Sequence, residues 1–271
     1  MCGIIGYVGP RQAQPVILQG LKRLEYRGYD SAGIAVLAEN GGIVIRRDVG
    51  KLQNLEAMLY ESPLQGHIGI GHTRWATHGE PSQRNAHPHV GMNERVVVVH
   101  NGIVENYQEL RHELEVEGIH FASDTDTEVI VQLLERYVES GMELARAAQE
   151  TFAQLEGSNA VVAMSLAEPG RLVTSRLGNA GGITLGLGDG EMFIASDIPA
   201  IREVTDDGRC ATLVPPGNSD ALAEAVKRVL TDPDSVTAKT AAGRQRFETL
   251  YTIDRIADQM VDLMREVATT N

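Results

Sequence analysis

The sequence is poor in cysteine and in positive charge, and it has no long apolar run. Its two cysteines, Cys2 and Cys210, favour a reducing, cytoplasmic compartment. Its 24 lysines and arginines are outnumbered by 37 aspartates and glutamates, and the formal net charge of −13 argues against a nucleic-acid or membrane-surface role. No apolar run approaches the roughly 20 residues of a membrane helix. No basic segment followed by an apolar one indicates a secretory signal.

Metal chemistry and repetitive architecture are not indicated either. No set of cysteines and histidines has the spacing of a zinc site, so neither a metal nor another cofactor is expected. No internal repeat or low-complexity tract occurs in the 271 residues. That length suits one large domain or two smaller ones.

Cys2 is the first residue that suggests a function. Removal of the initiator methionine makes it the N-terminus, so that one residue carries both a thiol nucleophile and a free α-amine. An α-amine has a pKa of about 7.7–8.0, so near pH 7 a neutral fraction is able to act as a base. The alternative is a chance cysteine at a frayed terminus, or a small buried apolar residue. The apolar run over residues 2–8 predicts a buried strand that holds the terminus in place.

The hydrophobic pattern predicts a mixed α/β domain followed by a mostly helical segment. Strands are expected over residues 2–8, 34–38, 42–47, 96–100, 160–166, 171–176, 184–188 and 192–195, and residues 66–76 form an apolar segment with no element assigned. Helices are expected over residues 12–24, 52–60, 106–117, 127–140 and 142–155. The composition changes near Ile198, after which helices are expected over residues 219–230, 236–250 and 253–267.

Six short motifs occur in order between Met1 and Glu128. They are Met1-Cys2-Gly3-Ile4-Ile5-Gly6, Glu25-Tyr26-Arg27-Gly28-Tyr29-Asp30-Ser31-Ala32-Gly33, Gly71-His72-Thr73-Arg74-Trp75-Ala76-Thr77-His78-Gly79, Asn85-Ala86-His87-Pro88-His89, His100-Asn101-Gly102 and Ser123-Asp124-Thr125-Asp126-Thr127-Glu128. Together they resemble the glutaminase domain of the glutamine–fructose-6-phosphate aminotransferases, also called glucosamine-6-phosphate synthases. That domain is an N-terminal-nucleophile, or class II, glutamine amidotransferase. The resemblance covers residues 2–197.

The resemblance implies both a fold and a reaction. The fold is an α/β, four-layer α/β/β/α sandwich with two antiparallel sheets between helical layers and a mostly helical C-terminal appendage. The reaction is hydrolysis of L-glutamine to glutamate and ammonia through a γ-glutamyl thioester on Cys2. Its tetrahedral intermediate needs donors for an oxyanion, and the resemblance assigns these to the Asn101 side chain and the Gly102 N–H. In isolation Asn101-Gly102 is more typical of a hairpin turn, but its place after a β-branched strand within the motif series favours the site.

The remaining groups of glutamine are an α-carboxylate and an α-ammonium. A carboxylate suits a planar guanidinium, and the resemblance assigns it to Arg74, helped by Thr77 and His78. The ammonium needs an anion, and the resemblance assigns it to Asp126. From the residues alone Asp124 competes for this role, and either carboxylate is also suited to cap the helix that starts at residue 127.

Three further residues are candidates for supporting roles. Trp75 resembles a residue of the mobile loop that closes over glutamine, and the alternative is a core or interface aromatic. Arg27 is a candidate to order the region of the nucleophile, and the alternative is a solvated surface arginine. For His87 the resemblance implies a structural or loop-ordering role, and the alternative is a buried histidine satisfied by hydrogen bonds.

The sequence departs from the family in two places. Nothing in it resembles the two sugar-isomerase domains that bind fructose 6-phosphate in that family. The chain alone is therefore not expected to form glucosamine 6-phosphate, and its ammonia would go to an acceptor domain in trans or be released. The turn over residues 176–182 is longer than the family's and lacks its serine and proline, which puts the geometry of that edge in doubt.

Residues 198–271 resemble the last part of a retaining glycosyltransferase with two Rossmann-like domains. The segments that carry this resemblance are residues 198–204, 207–208, 213–218 and 221–225. Most of such an enzyme is missing, so a working transferase is not expected, and the alternative is a packing appendage or a fusion of two gene fragments. Two domains are therefore expected, over residues 2–197 and 198–271.

A function of another class competes with the enzyme hypothesis. The chain would then be a catalytically incomplete module that binds glutamine without turnover, or that docks to a sugar-processing partner. Retention of Met1 would favour this alternative, because the amine of Cys2 would then lie in a peptide bond. The sequence leaves homo-oligomerisation open.

Overall fold

The structure, a computed structural model, describes residues 2–25, 28–178, 182–188, 191–197, 209, 224–225, 227–229 and 231–250. The chain divides into two compact units, Met1–Asp197 and Ile198–Asn271. The division falls at the boundary expected from the sequence, and the origin of the second unit stays a prediction.

The described strands of the first unit form two antiparallel sheets. They are β1 Gly3–Val8, β2 Ser31–Leu37, β3 Ile43–Val49, β4 Ile68–Arg74, β5 His89–Val90, β6 Val96–Val104, β7 Gly157–Ser165, β8 Leu172–Leu177, β9 Gly182–Gly188 and β10 Glu191–Asp197. One sheet has six strands in the order β3-β2-β4-β1-β10-β9, and the other has four in the order β5-β6-β7-β8.

Two groups of helices cover the outer faces of the sheets. They are α1 Ala13–Leu24 and α2 Leu52–Glu61 on the six-stranded sheet, and α3 Tyr107–Val116, α4 Thr127–Glu139 and α5 Leu144–Phe152 on the four-stranded sheet. Leu52, Leu55 and Leu59 of α2 recur at helical spacing and are buried, so one face of this helix supplies its packing surface. These positions agree with the helices predicted from apolar periodicity to within a few residues.

Three apolar layers hold the four structural layers together. One lies under α1 and α2 and includes Ile17 and Leu21, and another lies under α3, α4 and α5. The third lies between the sheets and includes Ile4, Ile70 and Val97. Both faces of the central strands are therefore buried, which explains the nearly continuous apolar runs in their sequences. The predicted four-layer α/β/β/α sandwich is confirmed.

Strand β6 corrects one prediction from the sequence. The strand was expected to end at Asn101-Gly102, but it continues to Val104 and stays paired with β7 throughout. Gly102 has φ +137° and pairs with Asn159 inside the ladder. Because glycine adopts a backbone conformation that other residues rarely do, it lets the strand continue where the sequence pattern indicated a turn. The hairpin reading of Asn101-Gly102 is therefore wrong.

The second unit is described mainly through α6, Pro233–Leu250. The Asp232 side chain accepts a hydrogen bond from the Ser235 N–H at 3.0 Å, as an N-cap residue does, and proline follows at the first helical position. The helix begins three residues before the predicted residue 236. The helix predicted over residues 253–267 lies outside the described residues. No helix in the described part of the chain has the length and apolarity needed to cross a membrane.

Candidate active site

A cavity of about 360 Å³ lies where β1, β4 and β6 approach the start of α4. Its walls come from the segment before β1, the end of β4 and the loop after it, β6, the start of α4, and β7. The lining residues are Cys2, Arg74, Trp75, Thr77, His87, His100, Gly102, Ile103, Glu105, Thr125, Asp126, Thr127 and Ser158. The cavity thus brings together seven of the ten site residues predicted from the sequence.

Cys2 lies beside the end of β4 because Gly3 of β1 pairs with Thr73. The Trp75 N–H donates to Sγ of Cys2 at 3.2 Å, and the thiol lies 3.6 Å from the Trp75 carbonyl oxygen. Burial raises the pKa of the Cys2 thiol, while the Trp75 N–H and the Arg74 guanidinium oppose that rise. The structure therefore holds a protonated thiol in the cavity wall, with a donor already placed to stabilise the thiolate.

Arg74 ends β4 and is 4% exposed. Its Nη2 donates to the His78 carbonyl and, at 3.0 Å, to the Gly79 carbonyl. Its Nη1 lies 3.9 Å from a carboxylate oxygen of Asp30 and, within the described residues, is buried without a hydrogen-bond partner. Since an unpaired buried donor is costly, this nitrogen is suited to an anionic ligand in the cavity.

Asp30 connects the segment before β2 to the chain around Arg74. Its N–H donates to the Arg74 carbonyl at 2.7 Å. Its carboxylate accepts hydrogen bonds from the Ala76 N–H and, at 3.0 Å, from the Ser31 hydroxyl. These contacts fix the backbone on both sides of Trp75.

Asn101 reaches across to Cys2 from β6. Its Nδ2 donates to the Cys2 carbonyl at 3.5 Å, and its Oδ1 lies 2.9 Å from Nε2 of His72. Asn101 is 8% exposed and His72 is fully buried. The amide thus has one end bound to β4 and the other turned toward the nucleophile.

Gly102 follows Asn101 at a position that excludes a side chain. A Cβ there would lie 2.0 Å from the Ser158 carbonyl oxygen and 3.0 Å from Nε2 of His100. Its positive φ is also unfavourable for other residues. Glycine is therefore required for the backbone to line the cavity here.

The two competing carboxylates have different surroundings. Asp126 lines the cavity, is 3% exposed and accepts a hydrogen bond from the Val104 N–H at 2.9 Å. It precedes α4 but its side chain makes no capping hydrogen bond. Asp124 is half-exposed and binds Arg84 and Asn85. Of the two, Asp126 has its carboxylate placed for a cavity ligand.

A chain of buried polar side chains lies behind the cavity. Thr127 Oγ1 lies 3.0 Å from His87 Nε2 and 2.8 Å from His100 Nδ1, and His100 Nε2 lies 2.9 Å from Asn159 Oδ1. Burial lowers the pKa of His87 well below its usual range and lowers that of His100. Both rings are therefore neutral near pH 7, and each has one donor and one acceptor nitrogen. Within the described residues Nδ1 of His87 has no hydrogen-bond partner.

The other predicted residues surround this arrangement. Trp75 is 56% exposed at the cavity, and Thr77 lines it. His78 supplies the carbonyl that binds Arg74, and its Nδ1 lies 3.9 Å from Asp126 Oδ2. The prediction for Arg27 lies outside the described residues. Within the described part of the chain, no group of His, Cys, Asp and Glu side chains is arranged to hold a metal ion.

Sequence reasoning missed several residues that the structure places at the site. His72, His100 and Thr127 were quoted within motifs but given no role, and Asp30 was not singled out. His72 had an available signal, since it lies two residues before Arg74 in a strand and so shares its face. The contacts of His100 and Asp30 depend on sheet pairing, which a single sequence does not specify.

Known proteins resemble this chain in sequence and in fold. A family model described as a glutamine amidotransferase domain matches residues 59–208, more than half of the chain. The chain belongs to the glutamine amidotransferase family. It is 49% identical over 216 residues to the glutamine–fructose-6-phosphate aminotransferase (isomerizing) of Mycolicibacterium smegmatis, which covers 76% of this chain and 34% of that protein. It is also 52% identical over 205 residues to the enzyme of the same name from Clostridium perfringens. That match covers 76% of this chain and 33% of that protein.

An archaeal relative and solved amidotransferase structures extend the comparison. The glutamine–fructose-6-phosphate aminotransferase (isomerizing) of Pyrococcus horikoshii is 51% identical over 214 residues, covering 77% of this chain and 35% of that protein. The chain thus spans about a third of the length of these relatives. The glutamine phosphoribosylpyrophosphate amidotransferase of B. subtilis has the same fold, with TM-score 0.62 and 24% identity over 72% of this chain and 41% of that chain.

Proposed function

We propose that this amidotransferase hydrolyses L-glutamine to glutamate and ammonia, with Cys2 as the nucleophile. The observation that carries the proposal is the position of Cys2 in the wall of a cavity that Gly102, Arg74 and Asp126 also line. The Asn101 side chain is not part of that lining, but its Nδ2 donates to the Cys2 carbonyl, and we assign the oxyanion donors to Asn101 and Gly102. Arg74 and Asp126 supply a cation and an anion that match the α-carboxylate and α-ammonium of glutamine.

The first half of the proposed reaction forms a thioester. After removal of Met1, the Cys2 Sγ attacks the side-chain amide carbon of glutamine and its proton passes to the free α-amine. The oxyanion is stabilised by the Asn101 Nδ2 and the Gly102 N–H. Collapse of the intermediate breaks the C–N bond, and the α-amine returns the proton to the leaving nitrogen, so that ammonia departs.

The second half restores the enzyme. Water attacks the γ-glutamyl thioester and the α-amine accepts a proton from it. The thiolate leaves, glutamate is released and Cys2 regains its proton. The same donors stabilise the second oxyanion, since it forms at the same carbonyl.

The experiment that tests this function measures glutamate and ammonia release by the purified chain and by Cys2→Ala. We expect glutamine-dependent release by the wild type and none by Cys2→Ala, with circular dichroism and thermal unfolding close to those of the wild type. Glutamine binding without release by a wild type that retains Met1 would favour the alternative of a binding module. Full activity of Cys2→Ala would overturn the proposal.

The acceptor of the ammonia is a separate part of the proposal. Because the relatives described above are named glutamine–fructose-6-phosphate aminotransferase, an amino-sugar-forming acceptor domain acting in trans is the partner we propose. Nothing in residues 1–271 resembles a sugar-isomerase domain, so we expect this chain to release ammonia without forming an amino sugar. Glucosamine 6-phosphate made by the purified chain from glutamine and fructose 6-phosphate would contradict this.

We also propose that residues 198–271 derive from a glycosyltransferase and have no transferase activity. The proposal rests on sequence resemblance alone. Binding of a sugar nucleotide to the full chain, measured by calorimetry, would show that a donor site remains, whereas absence of binding is expected.

A further inference from the structure

His72 is a fully buried polar side chain that the proposed reaction does not use. It lies on β4 opposite Ile4 of β1, on the face that packs between the two sheets. Its Nε2 lies 2.9 Å from Oδ1 of Asn101 on the other sheet. Asn101 shares the inner face of β6 with Val97 and Val99, so the pair forms a polar contact at the end of an otherwise apolar layer.

The hydrogen-bonding pattern determines which nitrogen of His72 carries the proton. Within the described residues His72 Nδ1 makes no hydrogen bond of good geometry, whereas Nε2 faces an oxygen acceptor. The backbone of His100 also lies near the ring, and it raises the pKa of His72 by less than burial lowers it. An unpaired buried N–H is costly, so the proton of the neutral ring belongs on Nε2. Burial lowers the pKa of His72 to about 3, so the ring is neutral at pH 7.

This tautomer fixes the orientation of the Asn101 amide. A donor at Nε2 requires the amide oxygen, not the amide nitrogen, to point at His72. The Nδ2 of Asn101 then faces Cys2, where it already lies 3.5 Å from the Cys2 carbonyl. Without the His72 donor, the long 3.5 Å contact from Nδ2 to the Cys2 carbonyl is the described contact left to oppose a flip that would turn the amide oxygen toward the cavity, where it would repel an oxyanion.

We propose that His72 is a positioning residue for the oxyanion hole, because its Nε2–H holds the Asn101 amide with Nδ2 directed at the reacting carbonyl. The proposal rests on the proposed glutaminase function for its kinetic consequences, whereas the hydrogen bond itself is testable without activity. His72 touches Asn101 and acts through it, so it is not expected to contact glutamine.

The kinetic test compares His72→Leu with His72→Gln and with a matched control, His89→Leu. A glutamine side chain places an amide N–H near the position of histidine Nε2, whereas leucine has no donor. His89 is also buried and its ring packs against His87, as that of His72 does, but its hydrogen-bond partner is Thr125 and not Asn101. We expect His72→Leu to lower kcat by about 10- to 100-fold with KM for glutamine little changed, since losing an oxyanion donor outright costs about 10²- to 10³-fold.

A double-mutant cycle with Asn101→Ala separates positioning from a general packing defect. If His72 acts through Asn101, His72→Leu should change kcat by no more than about twofold in the Asn101→Ala background. His72→Gln should recover most of the wild-type kcat, and His89→Leu should retain it. Multiplicative effects of His72→Leu and Asn101→Ala on kcat would overturn the proposal. Equal losses of kcat in His72→Leu and His89→Leu would also overturn it.

A spectroscopic readout distinguishes failure of this inference from failure of the proposed function. Nitrogen-15 NMR of the full chain should show His72 as the Nε2–H tautomer, and Asn101→Ala should shift that resonance while leaving the His89 resonance in place. An inactive wild type with this signature would contradict the glutaminase proposal alone. A His72 ring protonated on Nδ1, or one unaffected by Asn101→Ala, would contradict the positioning role whatever the activity.

Discussion

The backbone N–H of Trp75 donates a hydrogen bond to Sγ of Cys2 at 3.2 Å. This contact joins the residue before β1 to the first residue after β4, so sheet pairing and nucleophile position depend on each other. Asp30 fixes the same segment by binding the Arg74 carbonyl and the Ala76 N–H. The thiol is therefore placed by the backbone of a neighbouring strand and not by a side-chain base. That arrangement suits a reaction in which the base is the residue's own α-amine.

Asn101→Ala should lower kcat for glutamine hydrolysis by about 10²- to 10³-fold, because one donor to the oxyanion is lost. The KM for glutamine should change little, since that donor acts mainly in the transition state. Steady-state kinetics measure both values. Asn93→Ala is the control, since Asn93 is exposed and its side chain donates to Glu139 instead of Cys2. A kcat unchanged by Asn101→Ala would contradict its proposed role.

Arg74→Lys should raise the KM for glutamine by about 10- to 100-fold, because a single ammonium cannot bind the His78 and Gly79 carbonyls as Nη2 does and also replace Nη1 toward the substrate carboxylate. Its charge is retained, so the expected effect comes from geometry and hydrogen bonding. Arg84→Lys is the matched control, because Arg84 is exposed and pairs with Asp124. Equal KM values for the two variants would show that Arg74 does not bind the substrate carboxylate.

Gly102→Ala should destabilise the first unit by about 3 kcal/mol or more, the sum of backbone strain and steric overlap. The added Cβ would lie 2.0 Å from the Ser158 carbonyl oxygen. Gly118→Ala is the control, because Gly118 has φ +91° and open space around it. Gly118→Ala should lower the free energy of unfolding by about 1–2 kcal/mol from backbone strain alone. Urea unfolding gives both values, and similar losses would contradict the predicted clash.

The stability of the fold should decrease with acid below pH 6.5. An unfolded histidine has a pKa of about 6.5, and in the folded chain burial lowers the pKa of His72 to about 3. Between these values the unfolded state binds a proton that the folded state does not. Each such histidine therefore lowers the free energy of unfolding by about 1.4 kcal/mol for each pH unit below about pH 6.5. Above about pH 6.5 it has no effect. Burial lowers the pKa of His89 in the same direction.

Urea unfolding at pH 7.5, 6.5 and 5.5 measures this dependence. His89→Leu should reduce the slope of the unfolding free energy against pH, below pH 6.5, by the equivalent of about one proton. His112→Gln is the control, because His112 is exposed on α3 and is not buried by folding. A slope that is the same in His89→Leu and in the wild type would contradict the lowered pKa of His89 in the folded state.

The sequence was sufficient to predict the four layers and most of the cavity residues. Apolar periodicity located the helices, and the motif series brought Cys2, Arg74 and Asp126 into one hypothesis. The extension of β6 through Gly102 was missed, because Asn-Gly is the strongest short turn signal and the backbone freedom of glycine also permits a strand. Local pattern alone does not distinguish these two uses of glycine.

The contacts behind the cavity were beyond prediction from the sequence. The bond between His72 and Asn101 joins strands of different sheets, and it depends on how those sheets are stacked. The link from His100 through Thr127 to His87 joins β6, α4 and the segment before β5. Each partner is an ordinary buried polar residue in its own segment, and only the tertiary arrangement shows what it binds.

The central claim is that Cys2, with a free α-amine, is the nucleophile. Intact-protein mass spectrometry before and after treatment with an electrophilic glutamine analogue tests it most directly, with Cys2→Ala as the control. The expected result is a chain lacking Met1 that gains one adduct at Cys2, with no adduct in Cys2→Ala. A chain that lacks Met1 but gains no adduct, or that gains it at another residue, would contradict the account.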